Sequence, residues 1–281
     1  MKLALAEDIG SGDLTTVLTV PRSTRARGRI VARQPLVVAG LGLFAPLVEE
    51  LAAMGAAGAG ANSLVMSEQA GDGSVVAAGT SLCIIDGAAG AILTLERTLL
   101  NFVGHLCGIA TETAAVVSLV RAAGCSTNIL DTRKTTPGMR TLEKYAVACG
   151  GGTNHRIGLF DAVLIKDNHV IAAGGIAQAV RAALAGAPAG TDVEVECDTL
   201  EQVSAALDAG AKAILLDNFS PQRVAEAVAL IAGRARIEVS GGVTAANVVA
   251  YAKAGPDGIS LGRLTHSAPA ADVSMELALL V

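Results

Sequence analysis

Four short apolar runs recur in the second half of the chain: Val193-Glu-Val-Glu196, Ala213-Ile-Leu-Leu-Asp217, Ile237-Glu-Val-Ser240 and Gly258-Ile-Ser-Leu-Gly262. Their ends lie 21 to 23 residues apart, which leaves room for one strand, one short helix and two turns in each repeat. Two similar runs precede them: Asn128-Ile-Leu-Asp131 and Val163-Leu-Ile-Lys166. Six β/α units in series predict a parallel sheet, and their near-equal spacing indicates a barrel. Because a closed barrel contains more units, we expect an open, incomplete parallel α/β barrel with another element covering the gap.

The first half of the chain has a different pattern. Up to about residue 90, short β-like runs are separated by glycine, and Asp72-Gly73 marks a turn. A helical pattern covers Phe44 to Met54, and another covers Ala91 to Ala123 with an interruption near Gly104 to Gly108. This half therefore predicts an α+β domain. The predicted strands are Gly28–Ala32, Leu36–Gly40, Ser63–Ser67 and Ser81–Asp86.

Length and composition exclude several classes of protein. A chain of 281 residues is expected to form one or two domains. Its composition, with 52% hydrophobic and 17% charged residues, is the opposite of that of a disordered protein. Four Phe, two Tyr and no Trp offer little surface for stacking nucleic-acid bases. The net charge of -5 and the pI of about 5.4 argue against a general nucleic-acid or membrane-surface binder. An anionic ligand must therefore be bound by a local cluster of cations.

Neither a targeting segment nor a disulfide framework is expected. No uncharged apolar run reaches the roughly 18 residues that a membrane-spanning helix requires. The segment Met1–Asp8 becomes acidic after a short apolar core, unlike a signal peptide. The five cysteines contain no CxxC pair, which argues against zinc sites and disulfides. We expect a cytoplasmic protein with reduced thiols.

A polar residue or a glycine ends every one of the six predicted strands. These ends carry Asp131 and Arg133, Lys166, Glu196, Asp217, Ser240 and Gly241, and Gly262. Short polar residues also begin ordinary loops, but Lys166 and Glu196 are not turn-forming residues. Parallel α/β enzymes place their sites at the carboxyl ends of the strands. The sequence therefore predicts one shared pocket at that end of the sheet.

The segment from 131 to 170 is locally basic. It contains six Lys or Arg and four Asp or Glu, so it carries +2 and the remainder of the chain carries -7. For Arg140 and Lys144, one helical turn apart, we favour a solvated helix face. His155 and His169 add possible donors. The other cations are candidates to bind a ligand with several negative groups: Arg133, Lys134, Arg156 and Lys166.

Glycine-rich stretches supplement this set. We expect Gly150-Gly-Gly152 to let the backbone approach a ligand closely. Ser240-Gly-Gly242 and Ser260-Leu-Gly262 follow the last two strands, where barrels commonly bind phosphate. The alternative is ordinary glycine turns.

Two carboxylates, Glu196 and Asp217, oppose the cations at neighbouring strand ends. They suit an acid/base pair, ligands of a hard cation that also contacts phosphate, or acceptors for sugar hydroxyls. With phosphate expected nearby and no Cys/His cluster, we favour magnesium and ribose over zinc.

Nine blocks of sequence, spread over nearly the whole chain, resemble the quinolinate phosphoribosyltransferase family, also called nicotinate-nucleotide pyrophosphorylases (carboxylating). The blocks are Ala6-Glu-Asp-Ile-Gly-Ser-Gly-Asp-Leu-Thr-Thr16, Glu96-Arg-Thr98, Gly108-Ile-Ala110, Asp131-Thr-Arg-Lys-Thr-Thr-Pro-Gly138, Glu143-Lys-Tyr-Ala146, Gly150-Gly-Gly-Thr-Asn-His-Arg156, Leu164-Ile-Lys-Asp-Asn-His169, Leu216-Asp-Asn218 and Leu264-Thr-His-Ser267. The resemblance implies that quinolinate and phosphoribosyl pyrophosphate react, with Mg2+, to nicotinate mononucleotide, pyrophosphate and carbon dioxide, on the de novo route to NAD.

The resemblance also implies roles for individual residues. Quinolinate would be held by Arg133, His155, Arg156 and Lys166, with Arg97 reaching in from a partner subunit. Lys134 would face the pyrophosphate, and Glu196 and Asp217 would serve the ribose hydroxyls and Mg2+. The 5'-phosphate would lie at Ser240, Gly241, Gly262 and His266. By the same resemblance, the catalytic residues would be Lys134, Lys166, Glu196 and Asp217.

The implied fold is an N-terminal α/β sandwich over residues 1–105 and an open α/β barrel over 106–269, with a tail, 270–281, that returns to the first domain. The implied assembly is a homodimer with a shared active site, which can assemble further. Two alternatives remain: a related phosphoribosyltransferase for another small aromatic acid, and a non-catalytic relative. Retention of Lys134, Glu196 and Asp217 argues against the second alternative.

Overall fold

The computed structural model describes residues 1–55, 58–68 and 70–280. It forms two compact units, Met1–Glu112 with Ala268–Val281, and Thr113–Ser267. The predicted domain boundary at 105/106 falls inside a helix that runs from Ala89 to Ala122. Val281, at the end of the predicted tail, lies outside the described residues.

The first unit is built on an antiparallel sheet with the strand order β12-β1-β5-β3, beside a two-stranded pair, β2-β4. The long strand β1 alternates exposed arginines with buried small or apolar residues, as expected for a sheet that is covered on one face. All four predicted strand regions contain strands. The strands are β1 (Arg25–Ala32), β2 (Leu36–Val37), β3 (Val65–Glu68), β4 (Val75–Val76), β5 (Ser81–Ala88) and β12 (Val273–Leu279).

Within the described residues, four α-helices lie wholly or partly in the first unit, and the third of them has the predicted bounds. They are α1 (Lys2–Ile9), α2 (Leu14–Thr19), α3 (Phe44–Met54) and α4 (Ala89–Ala122). Phe44, Leu47 and Leu51 lie on the buried side of α3, where their spacing of three and four residues forms one apolar stripe. The helix ends at Gly55 in the left-handed region, a common C-terminal cap.

The predicted interruption of the next helix is wrong, because α4 continues through Gly104 and Gly108. Both glycines are needed for close packing. A Cβ on Gly108 would lie 2.1 Å from the carbonyl oxygen of Pro269, and one on Gly104 would lie 3.0 Å from that of Ala271. The amide of Ala271 also donates to the carbonyl of Gly104 at 2.8 Å. The cost of glycine in a helix is offset by this contact.

Among the described residues, α4 alone is long and apolar enough to cross a membrane. Core helices of globular proteins have the same composition, and 56% of its most apolar window is buried within the protein. The length of this helix therefore does not identify a membrane segment.

The second unit contains a six-stranded parallel sheet in the order β6-β11-β10-β9-β8-β7. All six predicted strands are confirmed, and helices connect them. The strands are β6 (Asn128–Leu130), β7 (Val163–Ile165), β8 (Val193–Cys197), β9 (Ala213–Asp217), β10 (Arg236–Ser240) and β11 (Gly258–Ser260). The helices are α5 (Arg140–Cys149), α6 (Asp167–Ala172), α7 (Ile176–Gly186), α8 (Leu200–Asp208), α9 (Pro221–Ile231), α10 (Val248–Lys253) and α11 (Arg263–His266).

The barrel is open, as predicted, because β6 and β7 are the two ends of the strand order. The parallel register brings the strand ends together: Ser240 pairs with Asp217, and Cys197 pairs with Leu216. Since side chains alternate along a strand, Glu194 and Glu196 of β8 point to the same side, as do Glu238 and Ser240 of β10. This alternation supplies two layers of polar side chains inside the barrel.

Candidate active site

The carboxyl ends of the strands surround a cavity of about 650 Å³, within the size range of small-molecule sites. It brings together eleven of the twelve candidate residues: Arg133, Lys134, His155, Arg156, Lys166, Glu196, Asp217, Ser240, Gly241, Gly262 and His266. The twelfth, Arg97, lies on α4 in the other unit with an exposed side chain.

Two guanidinium groups form the cationic side of the cavity. The Nε of Arg133 is buried without a hydrogen-bond partner among the described residues. Arg156 is half-buried and donates from Nη1 to the carbonyl of Ala162 at 3.1 Å. Burial, and then the charge of Arg133, lower the pKa of Arg156. The effect of Arg133 shows that two positive charges lie close together here, which favours an anionic ligand.

The prediction that Arg140 lies on a solvated helix face is wrong. Arg140 donates from Nε to Thr135 Oγ1 at 3.0 Å and from Nη1 to the carbonyl of Ile157 at 3.2 Å. A longer contact of 3.5 Å joins Nη2 to the carbonyl of Arg133. Arg140 thus ties together the two loops that present Arg133 and Arg156.

The same prediction is wrong for Lys144, whose side chain is only 1% exposed. Its Nζ forms an ion pair with Asp131 and donates to the carbonyl of His155 at 2.8 Å. Asp131 also accepts from the amide of His155 at 2.8 Å. Asp131 was predicted to face the shared pocket, but it is fully buried beneath it. The spacing of residues within α5 gives no sign that Lys144 is buried. Its partner, Asp131, lies outside the helix, so the ion pair is visible only in the folded structure.

The mouth of the cavity holds a second, more accessible pair. The Nζ of Lys166 contacts Glu196 Oε2 across the ends of β7 and β8. Asp217, at the end of β9, accepts from the side-chain amide of Asn218 at 2.7 Å. The amide of Lys166 donates to His169 Nδ1 at 2.9 Å, so His169 caps α6 and does not line the cavity.

At the opposite end of the cavity, two glycines allow neighbouring groups to lie very close to the backbone. Gly241 has a φ of 88°, and a Cβ there would lie 2.2 Å from Asn218 Oδ1. A Cβ on Gly262 would lie 2.8 Å from the Lys134 side chain and 3.4 Å from that of His266. Glycine therefore keeps the loop amides, Lys134 and His266 within reach of one ligand.

The prediction that Gly150–Gly152 approaches a ligand is wrong. Gly151 has a φ of 80°, typical of a turn. A Cβ on Gly152 would lie 2.7 Å from Val147 Cγ1 and 2.8 Å from Thr113 Cγ2. These glycines are explained by the turn after α5 and by packing inside the unit, and they do not line the cavity.

Sequence reasoning missed two buried carboxylates, Glu194 and Glu238, inside the barrel. Their side chains are 3% and 1% exposed. His155 Nε2 lies 3.2 Å from Glu194 Oε2 and 3.5 Å from Glu238 Oε1. The contact with Glu194, and the charges of both carboxylates, raise the pKa of His155 against the effect of burial. The signal was available: each glutamate lies two residues before a candidate strand-end residue, Glu196 or Ser240.

Cys197, next to Glu196, does not supply a nucleophile. Its side chain is fully buried on the opposite side of β8, and burial raises the pKa of the thiol to about 12. The nucleophilic form of cysteine is the thiolate, which is negligible under these conditions. The cavity chemistry therefore depends on cations, carboxylates and backbone amides.

Family models match both units of the chain. The quinolinate phosphoribosyl transferase N-terminal domain matches residues 13–107, and the C-terminal domain of the same family matches residues 109–276. The two models together cover most of the 281 residues.

Relatives with curated names are similar over almost the whole of this chain and most of their own length. The nicotinate-nucleotide pyrophosphorylase [carboxylating] of Mycobacterium leprae is 42% identical, over 99% of this chain and 95% of the relative. The chloroplastic enzyme of the same name from Arabidopsis thaliana is 39% identical, over 99% of this chain and 81% of the relative. Among solved structures, nicotinate-nucleotide pyrophosphorylase from Francisella tularensis superposes with a TM-score of 0.90 at 38% identity, covering 99% of this chain and 94% of that one.

Proposed function

Since this chain belongs to the quinolinate phosphoribosyltransferase family, we propose that its barrel cavity carries out the family reaction. Quinolinate and phosphoribosyl pyrophosphate give nicotinate mononucleotide, pyrophosphate and carbon dioxide, a step of de novo NAD biosynthesis. One observation carries the assignment: four cations, Arg133, Lys134, Arg156 and Lys166, line one cavity with Glu196 and Asp217. A dianionic ring and a polyphosphate sugar need such a set.

Quinolinate binds on the side of the two arginines. Arg133 has an unpartnered buried Nε, and a carboxylate is the planar partner that a guanidinium fork fits. Arg156 and Lys166 supply the remaining positive charge at the same side, and His155 lies beside them. Because quinolinate carries two carboxylates, several cations are required where nicotinate would need fewer. This requirement favours quinolinate over the alternative of another small aromatic acid.

Phosphoribosyl pyrophosphate binds across the other strand ends. The 5'-phosphate lies against the loop amides at Ser240, Gly241 and Gly262, near His266, while Lys134 faces the pyrophosphate. Glu196 and Asp217 accept hydrogen bonds from the ribose hydroxyls. These assignments place the sugar between the phosphate loops and the quinolinate ring.

Glu196 and Asp217 also fit a magnesium ion. Both are carboxylates at adjacent strand ends and within one cavity that is to hold phosphates, and Mg2+ prefers a few carboxylates together with substrate phosphate oxygens. Glu196 is engaged with Lys166 in this structure, so Lys166 must release it when Mg2+ and substrate bind. When bound, Mg2+ supplies positive charge to the pyrophosphate oxygens.

The residues of the chain lower the barrier mainly by placing charge. Two anionic substrates repel one another, and the arginines and lysines offset that repulsion while they orient the ring nitrogen towards the sugar C1. As the bond to pyrophosphate breaks, the sugar becomes oxocarbenium-like, and the carboxylates of Glu196 and Asp217 stabilise its positive charge. Lys134 stabilises the departing pyrophosphate. The ring nitrogen, positive after alkylation, then favours loss of the adjacent carboxylate.

A homodimer with shared sites follows from the proposed role of Arg97, whose exposed side chain would complete the partner's quinolinate site. Subunit mixing tests this role. Arg97→Ala and Lys134→Ala homodimers are each expected to be inactive, whereas a mixed dimer regains one intact site. Failure to recover activity after verified subunit exchange would contradict sharing.

The direct test of function is quinolinate-dependent release of pyrophosphate from phosphoribosyl pyrophosphate with Mg2+ present. Nicotinate is the matched control substrate, because it lacks the second carboxylate. We expect release with quinolinate and little with nicotinate. Equal rates would favour a different aromatic acid, and no release with either would favour the non-catalytic alternative.

A further inference from the structure

Glu238, in the middle of β10, is a buried carboxyl group that touches the floor of the cavity. Only 1% of its side chain is exposed. Among the described residues, neither of its carboxylate oxygens has a hydrogen-bond partner. Burying an ionised carboxylate without hydrogen bonds is costly, and such a group takes up a proton instead.

Charged and polar groups from several elements face Glu238. Glu194 approaches from β8, His155 from the loop after α5, Arg236 from β10 itself and Ser260 from β11. Arg236 Nη1 lies 4.0 Å from Glu238 Oε2, at the limit of an ion pair. Burial, and next the negative charge of Glu194, raise the pKa of Glu238 to about 7, and His155, Ser260 and Arg236 offset only part of this rise. Glu238 therefore holds a proton in a substantial fraction of molecules near neutral pH.

Bound quinolinate adds to this effect. A dianion at the cavity floor is a further negative neighbour of Glu238, and like charges favour the protonated form. The neutral carboxyl removes the repulsion and keeps an acidic O–H in a residue that lines the cavity. With substrate bound, the site thus contains its own proton donor, and that donor is shielded from solvent.

The family reaction consumes one proton at the ring. When carbon dioxide leaves, the electron pair of the broken carbon–carbon bond stays on the ring carbon next to the alkylated nitrogen. That carbon must then gain a proton to give nicotinate mononucleotide. None of the roles proposed for the cavity residues includes donation of this proton.

We propose that Glu238 is the acid that protonates the ring carbon from which carbon dioxide departs. The bond between this carbon and its carboxylate breaks in the same step in which the proton is transferred, and carbon dioxide leaves without the electron pair. The pair takes the proton of the Glu238 carboxyl group, so a C–H bond forms and Glu238 becomes a carboxylate. Water reprotonates Glu238 once the product has left, and the cycle is balanced.

The other polar groups at the floor are less suited to this step. Guanidinium groups such as Arg133 and Arg156 do not release protons in proteins. Lys166, which must release Glu196 when substrate binds, is assigned to a quinolinate carboxylate and uses its N–H groups for that contact. His155 points Nε2 at the two glutamates, and its Nδ1 accepts the amide of Arg156 at 2.7 Å, so neither ring nitrogen presents a proton to the cavity.

Glu238→Gln tests the proposal, which rests on the proposed function. Glutamine keeps the size and the neutrality of the protonated group but has no acidic proton. Pyrophosphate and carbon dioxide are measured in parallel with the full-length protein, and the wild type is expected to release them in equal amounts. In the variant, we expect the rate of carbon dioxide release to fall by about 100-fold or more. Pyrophosphate release and the quinolinate KM should change only a few-fold.

The unconverted nucleotide would then accumulate and be detected by mass spectrometry as a species heavier than the product by the mass of carbon dioxide. A variant in which both products fall together, or in which neither falls, would overturn the proposal. If the wild type released no pyrophosphate, the proposed function itself would fail, and the two failures are therefore distinguishable.

Glu194→Gln is the matched control and a second route to an answer if Glu238→Gln does not fold. It removes the negative neighbour of Glu238 and leaves Glu238 in place. Removing that charge lowers the pKa of Glu238, so the acid is lost at lower pH. We expect carbon dioxide release to persist, with the alkaline limb of its kcat profile moved to lower pH. An unmoved alkaline limb would count against Glu238 as the acid.

Discussion

Two lysine–carboxylate pairs lie close to strand ends of the same barrel, yet they differ in accessibility. Lys144 and Asp131 are 1% and 0% exposed, and Asp131 accepts a second hydrogen bond from the amide of His155. Lys166 and Glu196 are 47% and 10% exposed and line the cavity. The first pair is enclosed by protein, whereas the second opens to a ligand.

The difference teaches how to separate a structural ion pair from a functional one. Both lysines come from the same basic segment, 131–170, and both carboxylates lie at the ends of short strands. In the enclosed pair, neighbouring protein groups neutralise both charges. Removing one partner therefore leaves the other charge buried and unpaired. In the open pair, solvent replaces a lost partner, and substrate competes for both charges.

The largest effect is expected from Lys144→Met, which leaves Asp131 buried and unpaired. We expect the free energy of unfolding to fall by about 3–5 kcal/mol, measured by urea denaturation. Asp131→Asn combined with Lys144→Met removes both charges and should recover part of this loss. If the double variant were as unstable as the sum of two single variants, the pair would not act as a unit.

The next effect is expected at the cationic side of the cavity, from Arg133→Ala. Loss of a charge-assisted fork to a substrate carboxylate should raise the quinolinate KM and lower kcat/KM by about 100-fold or more. The free energy of unfolding should change little, because Arg133 already has an unpartnered Nε. Steady-state kinetics at saturating phosphoribosyl pyrophosphate measure this, and unchanged kinetics would remove Arg133 from the site.

Lys166→Met is the direct counterpart of Lys144→Met. We expect kcat/KM to fall by about 10–100-fold, because a substrate-facing charge is lost. The unfolding free energy should change by less than about 1 kcal/mol, since the pair is open to water. Equal destabilisation by the two lysine variants would break the distinction between the pairs.

The smallest effect is expected from Arg140→Ala, which touches the loops and does not line the cavity. Its two shorter hydrogen bonds fix the loops of Arg133 and Arg156, so their loss should raise the quinolinate KM by roughly 10-fold or less and cost about 1–3 kcal/mol of stability. Arg140→Lys is the control, because one charge without the planar fork should restore only part of the binding.

Much of the fold was predictable because it rests on local patterns. The six strands of the barrel follow from apolar runs at regular spacing, and α3 follows from an apolar stripe that ends at glycine. The uninterrupted course of α4 was not predictable in this way. In the sequence, Gly104 and Gly108 indicate a helix interruption. In the structure they allow close packing against Ala271 and Pro269, which are distant in sequence.

The site was predictable to the extent that strand ends meet at one edge of a parallel sheet. Eleven candidate residues line one cavity for that reason. Burial could not be read in the same way. Asp131 and Lys166 both end strands, but only the three-dimensional packing of α5 places a lysine over Asp131. Likewise, Glu194 and Glu238 lie mid-strand, where a polar residue is commonly taken for a solvent-facing one.

The pairing of β12 with β1 has a consequence for biosynthesis. Arg33, at the end of β1, donates to Ser274 of β12, and the two lie 241 residues apart. The ribosome therefore makes the entire barrel, 113–267, between the first and the last strand of one sheet. Domains generally fold in the order of their synthesis, so the barrel can be complete while β1 still exposes an edge. β1 is therefore made early but gains its last partner strand late, and until then its unpaired edge is open to pairing with other chains.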